Sequence, residues 1–222
     1  MKNLMGKALK ISAPMTVEHA VICGAQVMIT VIVAPLGPVA IAANAFAITA
    51  ESLCYMPGYG IGDAATTLVG QSHGAGNKHL VKRFGYITVG LGMTVMTVMG
   101  VILYITAPFM LELMTPVEEI RALGTEVLRI EAWAEPMFAA SIVAYGVFVG
   151  MGDTIMPACM NFGSIWLVRV PLAAWLAQYY SGGEPCAAGL KGVWVAMCIE
   201  LCFRGSIFLV RLLRGRWIHK TL

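Results

Sequence analysis

The sequence predicts an all-α polytopic membrane protein with six transmembrane helices. Of its 222 residues, 59% are hydrophobic and only 12% are charged, and the mean hydropathy is +0.78. An average soluble domain carries about 25% charged residues, so this composition excludes a disordered chain and disfavours a water-soluble one. A helix that crosses a bilayer needs about 20 apolar residues, and the length of the chain accommodates six such helices with their connections.

Six apolar spans follow one another along the chain. The first comes after a short basic segment and continues too far, without a small-residue cleavage site, to be a signal peptide. The third contains no charged residue, and every span exceeds about 18 residues, which disfavours buried helices of a soluble core. The predicted spans are 11–34, 39–69, 84–111, 127–150, 155–179 and 187–213, and together they form one domain over residues 1–222.

The basic residues indicate the orientation of these spans. Ten of the 15 Lys and Arg residues fall at one end, and cytoplasmic connections are enriched in such residues. We therefore expect an integral protein of a bacterial cytoplasmic (inner) membrane with both termini inside. The net charge of +3 is too small to indicate a nucleic-acid partner. The ten residues are Lys2, Lys7, Lys10, Lys78, Lys82, Arg83, Arg211, Arg214, Arg216 and Lys220.

Charged residues inside the spans are the candidates for function. An ionisable side chain at the bilayer centre costs about 2.5–3.5 kcal/mol, so it normally faces a cavity or a partner. Glu18, in the first span, is a candidate carboxylate that carries a proton or helps bind a cation. Alternatively, it forms a permanent ion pair with Arg169 or His19. Arg169 itself either neutralises a buried glutamate or attracts an anionic group.

Three further acids belong to this set. Glu135 precedes a proline in mid-span, where a kink would open a small polar pocket, and Glu131 lies four residues earlier on the same predicted helix face. The alternative is that both are solvated near the outer head groups. Glu51, in the second span, is another candidate for coupling. Glu200 and Arg204 are spaced as a helical ion pair with the acid first, which favours mutual neutralisation.

No pattern indicates an enzyme, a metal site or a bound cofactor. The four histidines and six cysteines do not show the spacing of metal ligands. The glycine-rich strings contain neither GxGxxG nor GxxxxGK[ST], and no strand precedes them. We therefore expect a membrane protein without catalytic residues.

Four short blocks, rich in glycine or proline, occur near the ends of the spans. They are GYGIGDAATTLVGQSHGAG at 58–76, GMGDTIMP at 150–157, RVPL at 169–172 and GLKGVW at 189–194. In this order and at this spacing they resemble the MATE family, the multidrug and toxic compound extrusion transporters. The likeness covers essentially the whole chain. The resemblance places six of these residues in the gate loops of the transporter, namely Gly70, Gln71, Gly74, Gly152, Asp153 and Pro157.

A complete MATE transporter has twelve helices in two six-helix lobes, and this chain resembles the second lobe. The resemblance implies secondary active efflux of organic cations and amphipathic drugs, coupled to entry of H⁺ or Na⁺. The implied partners are the bilayer, these substrates and a second lobe, either a missing N-terminal half or a second copy. The alternatives are a non-transporting membrane subunit or a flippase for lipid-linked sugars, which would favour a strongly cationic cavity.

The resemblance also implies positions for the coupling acids. In several family members an acid lies two turns after a proline near the start of the first helix. Counted from Pro14, that position is Ile22 in this chain, and Glu18 lies one turn earlier. On the fourth helix the corresponding position is near Phe138, one turn from Glu135. Glu18 and Glu135 are therefore the acids that we expect to couple ion entry to export.

Overall fold

The computed structural model describes residues 2–182, 186–215 and 217, so Arg216 and Lys220 of the basic C-terminal segment lie outside it. Within these residues the chain forms helices and no strand, which confirms the predicted all-α class. The α-helices are α1 Lys2–Val33, α2 Pro38–Gly74, α3 Lys78–Met114, α4 Glu118–Glu131, α5 Glu135–Gly150, α6 Ile155–Ser164, α7 Val170–Tyr180 and α8 Gly189–Arg214.

The helices correspond in order to the six predicted spans, although α1 and α3 begin nine and six residues earlier than the predicted spans 11–34 and 84–111. Five continuous spans are long and apolar enough to cross a membrane, and the bent pair α4–α5 makes six. The fifth span consists of α6, a π-helical turn over Ile165–Arg169, and α7. These helices, together with the relatives described below, identify an integral membrane protein.

The fourth span differs from the prediction at 127–150. It begins nine residues earlier, at Glu118, and it is interrupted between Glu131 and Glu135 by a bend of 58°. Pro136 occupies the first turn of α5. Backbone N–H groups in a first turn have no acceptor within the helix, so a proline there costs no hydrogen bond. The proline therefore starts a new helix, whereas we expected it to kink a continuous one.

Short connections at residues with unusual backbone angles join the helices. Gly37, with φ of 100°, separates a 3-10 turn at Ala34–Leu36 from α2. Gly76, with φ of 71°, lies between α2 and α3, and the Asn77 side chain accepts a hydrogen bond from the Leu80 N–H at 3.1 Å. Glycine adopts positive φ without the steric cost of a Cβ, and the asparagine satisfies a free donor at the helix start.

The lobe contains two apolar cores with a polar layer between them. Helix α2 packs against α3 and α5, α8 packs against α5 and α7, and α1 lies at the edge against α6 and α7. The first core surrounds the N-terminal half of α2, and the second surrounds its C-terminal half. Glu135 and Glu200 lie between the residues of these two cores, and Glu51 lies at the edge of the first core, between Ala50 and Cys54 of α2. This layer positions the candidate site.

Candidate functional site

Glu18 is held by two neutral donors. It is only 7% exposed, and the Tyr145 hydroxyl donates a 2.8 Å hydrogen bond to Oε2. The Asn161 side-chain amide donates to Oε1. Among the residues that the structure describes, no basic side chain forms an ion pair with Glu18, so the alternative pairing with Arg169 or His19 is wrong. The carboxyl group is solvated by the protein without being neutralised by it.

Glu18 also faces an open apolar groove. A groove of about 470 Å³ lies between α1 and α6, and it is lined by Glu18, Asn161, Val21, Ile22 and Phe162 among others. Apolar walls with a few polar groups are typical of a small-molecule site. A lipophilic cation in this groove would therefore meet one carboxylate and mostly hydrocarbon.

Glu200 is the centre of a second arrangement. Its side chain is fully buried, and two arginines flank it: Arg169 Nη2 lies 3.0 Å from Oε2 and Arg204 Nε lies 3.2 Å from Oε1. The Ser164 hydroxyl also donates to Oε1. Glu200 and Arg204 thus form the pair that their spacing predicts, and Arg169 joins them from another span.

The π turn explains how Ser164 and Arg169 reach the same carboxylate. Residues five apart in an α-helix point about 140° apart around the axis, because each residue turns about 100°. In a π-helical turn the i→i+5 bonding places residues five apart on nearly one face. The turn at Ile165–Arg169 therefore presents Ser164 and Arg169 together to Glu200.

Three acids gather at the α4–α5 break. Glu131 and Glu135 are 0% exposed and Glu51 is 7% exposed, and Glu131 interacts electrostatically with the other two. Among the described residues, the carboxyl oxygens of Glu131 and Glu135 have no hydrogen-bond partner of ordinary geometry. The Cys54 thiol of α2 interacts with the Glu135 carboxyl group. We call Glu51, Glu131 and Glu135 the acid cluster.

Two expectations about this cluster are wrong. Glu131 and Glu135 do not lie on one helix face, because α4 ends at the first and α5 begins at the second. They are not solvated near head groups either, because the break packs against α2 and α3 and both side chains are completely buried. Burial with unpartnered oxygens is the property that makes these acids unusual.

Helix α6 connects the Glu18 site to Glu200. Asn161, which binds Glu18, lies three residues before Ser164, which binds Glu200, and both side chains are buried. Residues three apart are neighbours on a helix face. Asn161, Ser164 and the hydroxyl group of Tyr145 were not among the residues predicted from the sequence. The pattern that could have indicated them is the pair Asn161 and Ser164, two polar residues three positions apart within an apolar span.

Aromatic side chains surround one side of the polar layer. Tyr55 packs edge-to-face against both Tyr59 and Phe138, with ring centroids 5.6 and 5.8 Å apart. The Arg204 guanidinium lies 5.8 Å from the centroid of the Phe138 ring. Tyr59 is 49% exposed, so this aromatic surface is accessible from outside the lobe. Such rings favour contact with a flat organic cation.

The six residues that the resemblance assigns to gate loops lie at the predicted cytoplasmic end of the lobe. Gly70 lies so close to α5 that a Cβ there would be 3.4 Å from the Gly150 carbonyl oxygen. Gly152 has a φ of 77°, and Asp153 forms an ion pair with Arg211 of α8. The rest lie in the last turns of α2 and the first turn of α6, namely Gln71, Gly74 and Pro157.

Comparison with known proteins identifies relatives of the whole chain. The model of the MatE family matches residues 14–175. A probable multidrug resistance protein NorM from Thermotoga maritima is 29% identical over 216 residues, which cover 96% of this chain and 45% of that protein. The multidrug resistance protein NorM from Burkholderia vietnamiensis is 28% identical, with coverage of 89% and 43%. The chain therefore spans just under half the length of these relatives.

Solved structures show the same fold. An outward-facing multidrug resistance MATE family transporter of the MOP superfamily superposes with a TM-score of 0.87 at 17% identity, covering 100% of this chain and 49% of the other. The MATE transporter ClbM, in complex with Rb⁺, superposes with a TM-score of 0.84 at 21% identity, covering 98% and 51%. The expected resemblance and the six-helix fold are both confirmed.

Proposed function

The chain belongs to the MatE family, and from this premise we propose that it is one six-helix lobe of a multidrug efflux transporter. Its buried acids exchange a coupling cation for an organic cation during export. The observation that carries this proposal is Glu18, a buried carboxyl group with no basic partner among the described residues, on the wall of an apolar groove.

The proposed exchange rests on competition for the same carboxylate. Ionised Glu18 attracts a lipophilic cation whose apolar body packs on the groove. Entry of the coupling ion removes that attraction, so the drug leaves on the side from which the ion came. A ligand shifts a two-state equilibrium only by its difference in affinity for the two states. The ion and the drug therefore drive opposite shifts of the lobe, and the coupling between them is reciprocal.

We propose H⁺ or Na⁺ as the coupling ion and organic or amphipathic cations as the substrates. Glu135 of the acid cluster is the second coupling candidate, because its carboxyl oxygens are buried without hydrogen-bond partners of ordinary geometry among the described residues. The complex of ClbM with Rb⁺ supports a monovalent cation as a ligand of this fold. The excess of acids over bases in the polar layer disfavours a flippase for anionic lipids.

The lobe is proposed to work against a second six-helix lobe in a bacterial cytoplasmic membrane. That lobe belongs either to the same longer protein or to a second copy of this chain. Cross-linking in membranes distinguishes these arrangements. A cross-linked dimer supports the second copy, whereas a single band of roughly twice the mass before cross-linking supports one longer protein. A lone 23.8 kDa species under both conditions would contradict the requirement for a second lobe.

Ethidium efflux from cells that express the protein tests the function. Glu18→Gln and Glu135→Gln remove a negative charge while they conserve the side-chain shape, and each should abolish efflux without reducing membrane insertion. Glu118→Gln is the matched control, because Glu118 is an exposed acid in the first turn of α4. Full efflux by both variants would show that the assignment of the coupling acids is wrong.

A further inference from the structure

The polar layer contains more buried negative charge than positive charge. Glu200 lies between Arg169 and Arg204, so this triad carries one net positive charge when all three groups are ionised. The acid cluster of Glu51, Glu131 and Glu135 would carry three negative charges. The triad and the cluster are electrostatically coupled, because Glu131 interacts with Arg169 and with Glu200. Full ionisation would therefore leave two uncompensated negative charges between the two apolar cores.

Such an excess is too unfavourable to persist in this environment. Transfer of an ionised carboxylate from water to a low-dielectric interior costs many kcal/mol unless a counter-charge or a proton neutralises it. Glu131 and Glu135 are fully buried, and their four carboxyl oxygens lack hydrogen-bond partners of ordinary geometry within the described part of the chain. Two positive charges must therefore accompany the cluster.

Within the described part of the chain, the side chains that interact with the cluster do not supply both of those charges. Helix α2 contributes the cysteine and tyrosines that interact with Glu51, and α8 contributes two cysteines that interact with Glu131 or with each other. Helix α3 places Gly100 against Glu135. The positively charged groups are Arg169 and Arg204, and Glu200 already neutralises one of their two charges. The uncharged titratable neighbours are Cys54, Tyr55, Tyr59, Cys198 and Cys202.

Resting on the proposed function, we propose that the acid cluster stores two exchangeable protons and that Arg169 supplies the third positive charge as a fixed counter-ion. A proton needs only one carboxyl oxygen, whereas a hard metal ion needs several converging oxygens. Among the described residues, no three His, Cys, Asp or Glu side chains are arranged to hold a metal ion. Each proton that leaves is transferred to water, and a carboxylate remains.

Arg169 would then act on the cluster through its position and its charge, and experiment can separate this effect from its contribution to folding. The π turn fixes Arg169 on Glu200, within electrostatic range of Glu51 and Glu131. Removal of its charge should be compensated by one additional proton in the cluster. A purely structural arginine would change stability but would leave the number of protons unaltered.

Infrared spectroscopy of the purified chain in detergent counts these protons directly. Protonated carboxyl groups have a carbonyl stretch that carboxylates lack. The reference is a triple variant, Glu51→Gln with Glu131→Gln and Glu135→Gln, in which the cluster has no carboxyl group. At neutral pH the natural chain should exceed this reference by an intensity that corresponds to two groups.

Single variants then test the assignment of charge. Arg169→Gln should raise the count from two to three, Arg169→Lys should restore two, and Glu131→Gln should lower it to one. Arg129→Gln is the control, because Arg129 lies outside the layer and stacks on Tyr104. Circular dichroism verifies that each variant retains its helices.

The outcomes distinguish this inference from the proposed function. A natural chain with no excess band, or an Arg169→Gln variant with an unchanged count, would overturn the two-proton site even if efflux is normal. Loss of the band on addition of Na⁺ at constant pH would show that the site holds a metal cation, and this would also overturn it. A chain with two counted protons but no ethidium efflux would retain the site and contradict the transport proposal.

Discussion

The buried glutamates of this lobe have three kinds of local environment. Glu18 accepts hydrogen bonds from a hydroxyl and an amide, Glu200 is paired with two guanidinium groups, and Glu131 has neither kind of partner. Burial alone disfavours the charged form of a carboxyl, and neighbouring donors or cations oppose this effect. The same residue type can therefore act as a cation ligand, a structural anion or a proton carrier within one helical bundle.

The hydrogen bond from Tyr145 should matter for the function of Glu18. Tyr145→Phe removes a 2.8 Å contact to Oε2 and leaves the ring in place. A hydrogen bond to a charged group contributes about 1.5–3 kcal/mol, and about 1.4 kcal/mol is a factor of ten in an equilibrium constant. We expect ethidium efflux to fall about tenfold.

Tyr104→Phe is the control for this measurement. Tyr104 interacts with Arg129 and Trp133 through its ring, and a phenylalanine retains these contacts. Efflux by this variant should therefore be normal. Equal efflux by Tyr145→Phe and the natural protein would show that the hydrogen bond from the hydroxyl group to Glu18 is not required for transport.

Glu200 should be a determinant of stability. Glu200→Gln leaves Arg169 and Arg204 buried without their shared counter-ion, and loss of one partner from a buried ion pair typically costs 3–5 kcal/mol. We expect a large decrease in the midpoint of thermal unfolding in detergent. Glu126→Gln disrupts the exposed pair with Lys191, where the loss should be about 1 kcal/mol or less. Similar midpoints for the two variants would contradict the central role of Glu200.

At the residue scale, the sequence identified the buried charges but not all of their partners. An acid in an apolar span is recognisable because its transfer into the membrane is costly, and Glu18, Glu51 and Glu135 were found this way. The partners of Glu18 come from other spans, so they depend on how each helix is rotated about its axis. No periodicity in the sequence fixes that rotation, and Asn161 was overlooked for this reason.

At the scale of elements, the α4–α5 break depends on a glycine in a different helix. A Cβ at Gly100 of α3 would lie 2.8 Å from the Ala132 carbonyl oxygen and 3.2 Å from the Glu135 Cβ. Contacts under 3.0 Å with backbone atoms require a backbone shift. The glycine thus lets α3 approach the break closely enough to cover the buried acids.

Gly100→Ala should therefore separate α3 from the break and lower the thermal midpoint in detergent. The same change at Gly90, also on α3, introduces a methyl group into open space. There alanine should be neutral or stabilise the helix by about 0.5–1 kcal/mol, because glycine carries a larger entropic cost. A Gly100→Ala chain as stable as the Gly90→Ala chain would show that the close approach is not required.

The break itself was only partly predictable. The long apolar runs of the sequence are sufficient to place five spans, although α1 and α3 begin nine and six residues before the predicted spans 11–34 and 84–111. A proline at position 136 is equally compatible with a kinked helix and with the first turn of a new one. The packing of Ala132 against α3 decides between these, and it involves residues more than thirty positions apart.

At the scale of the whole molecule, the distribution of charge should determine the orientation in the membrane. The N-terminal end of α3 and the C-terminal end of α8 carry basic residues, and both lie at one end of the bundle. The connection between α7 and α8 lies at the opposite end and contains Cys186, which is exposed. Excess Lys and Arg on the cytoplasmic side would place Cys186 outside.

A membrane-impermeant maleimide should therefore label intact cells through Cys186. Labelling should disappear in Cys186→Ser, because the remaining cysteines lie within the membrane-spanning helices. His79→Cys, introduced into the Cys186→Ser chain, places a thiol on the exposed start of α3 and should be labelled only after permeabilisation. The reverse pattern would mean that the end of the bundle rich in Lys and Arg faces outward, against the excess of such residues expected on the cytoplasmic side. The predicted cytoplasmic location of both termini would then be wrong, whereas the contacts of the buried acids within the lobe would be unaffected.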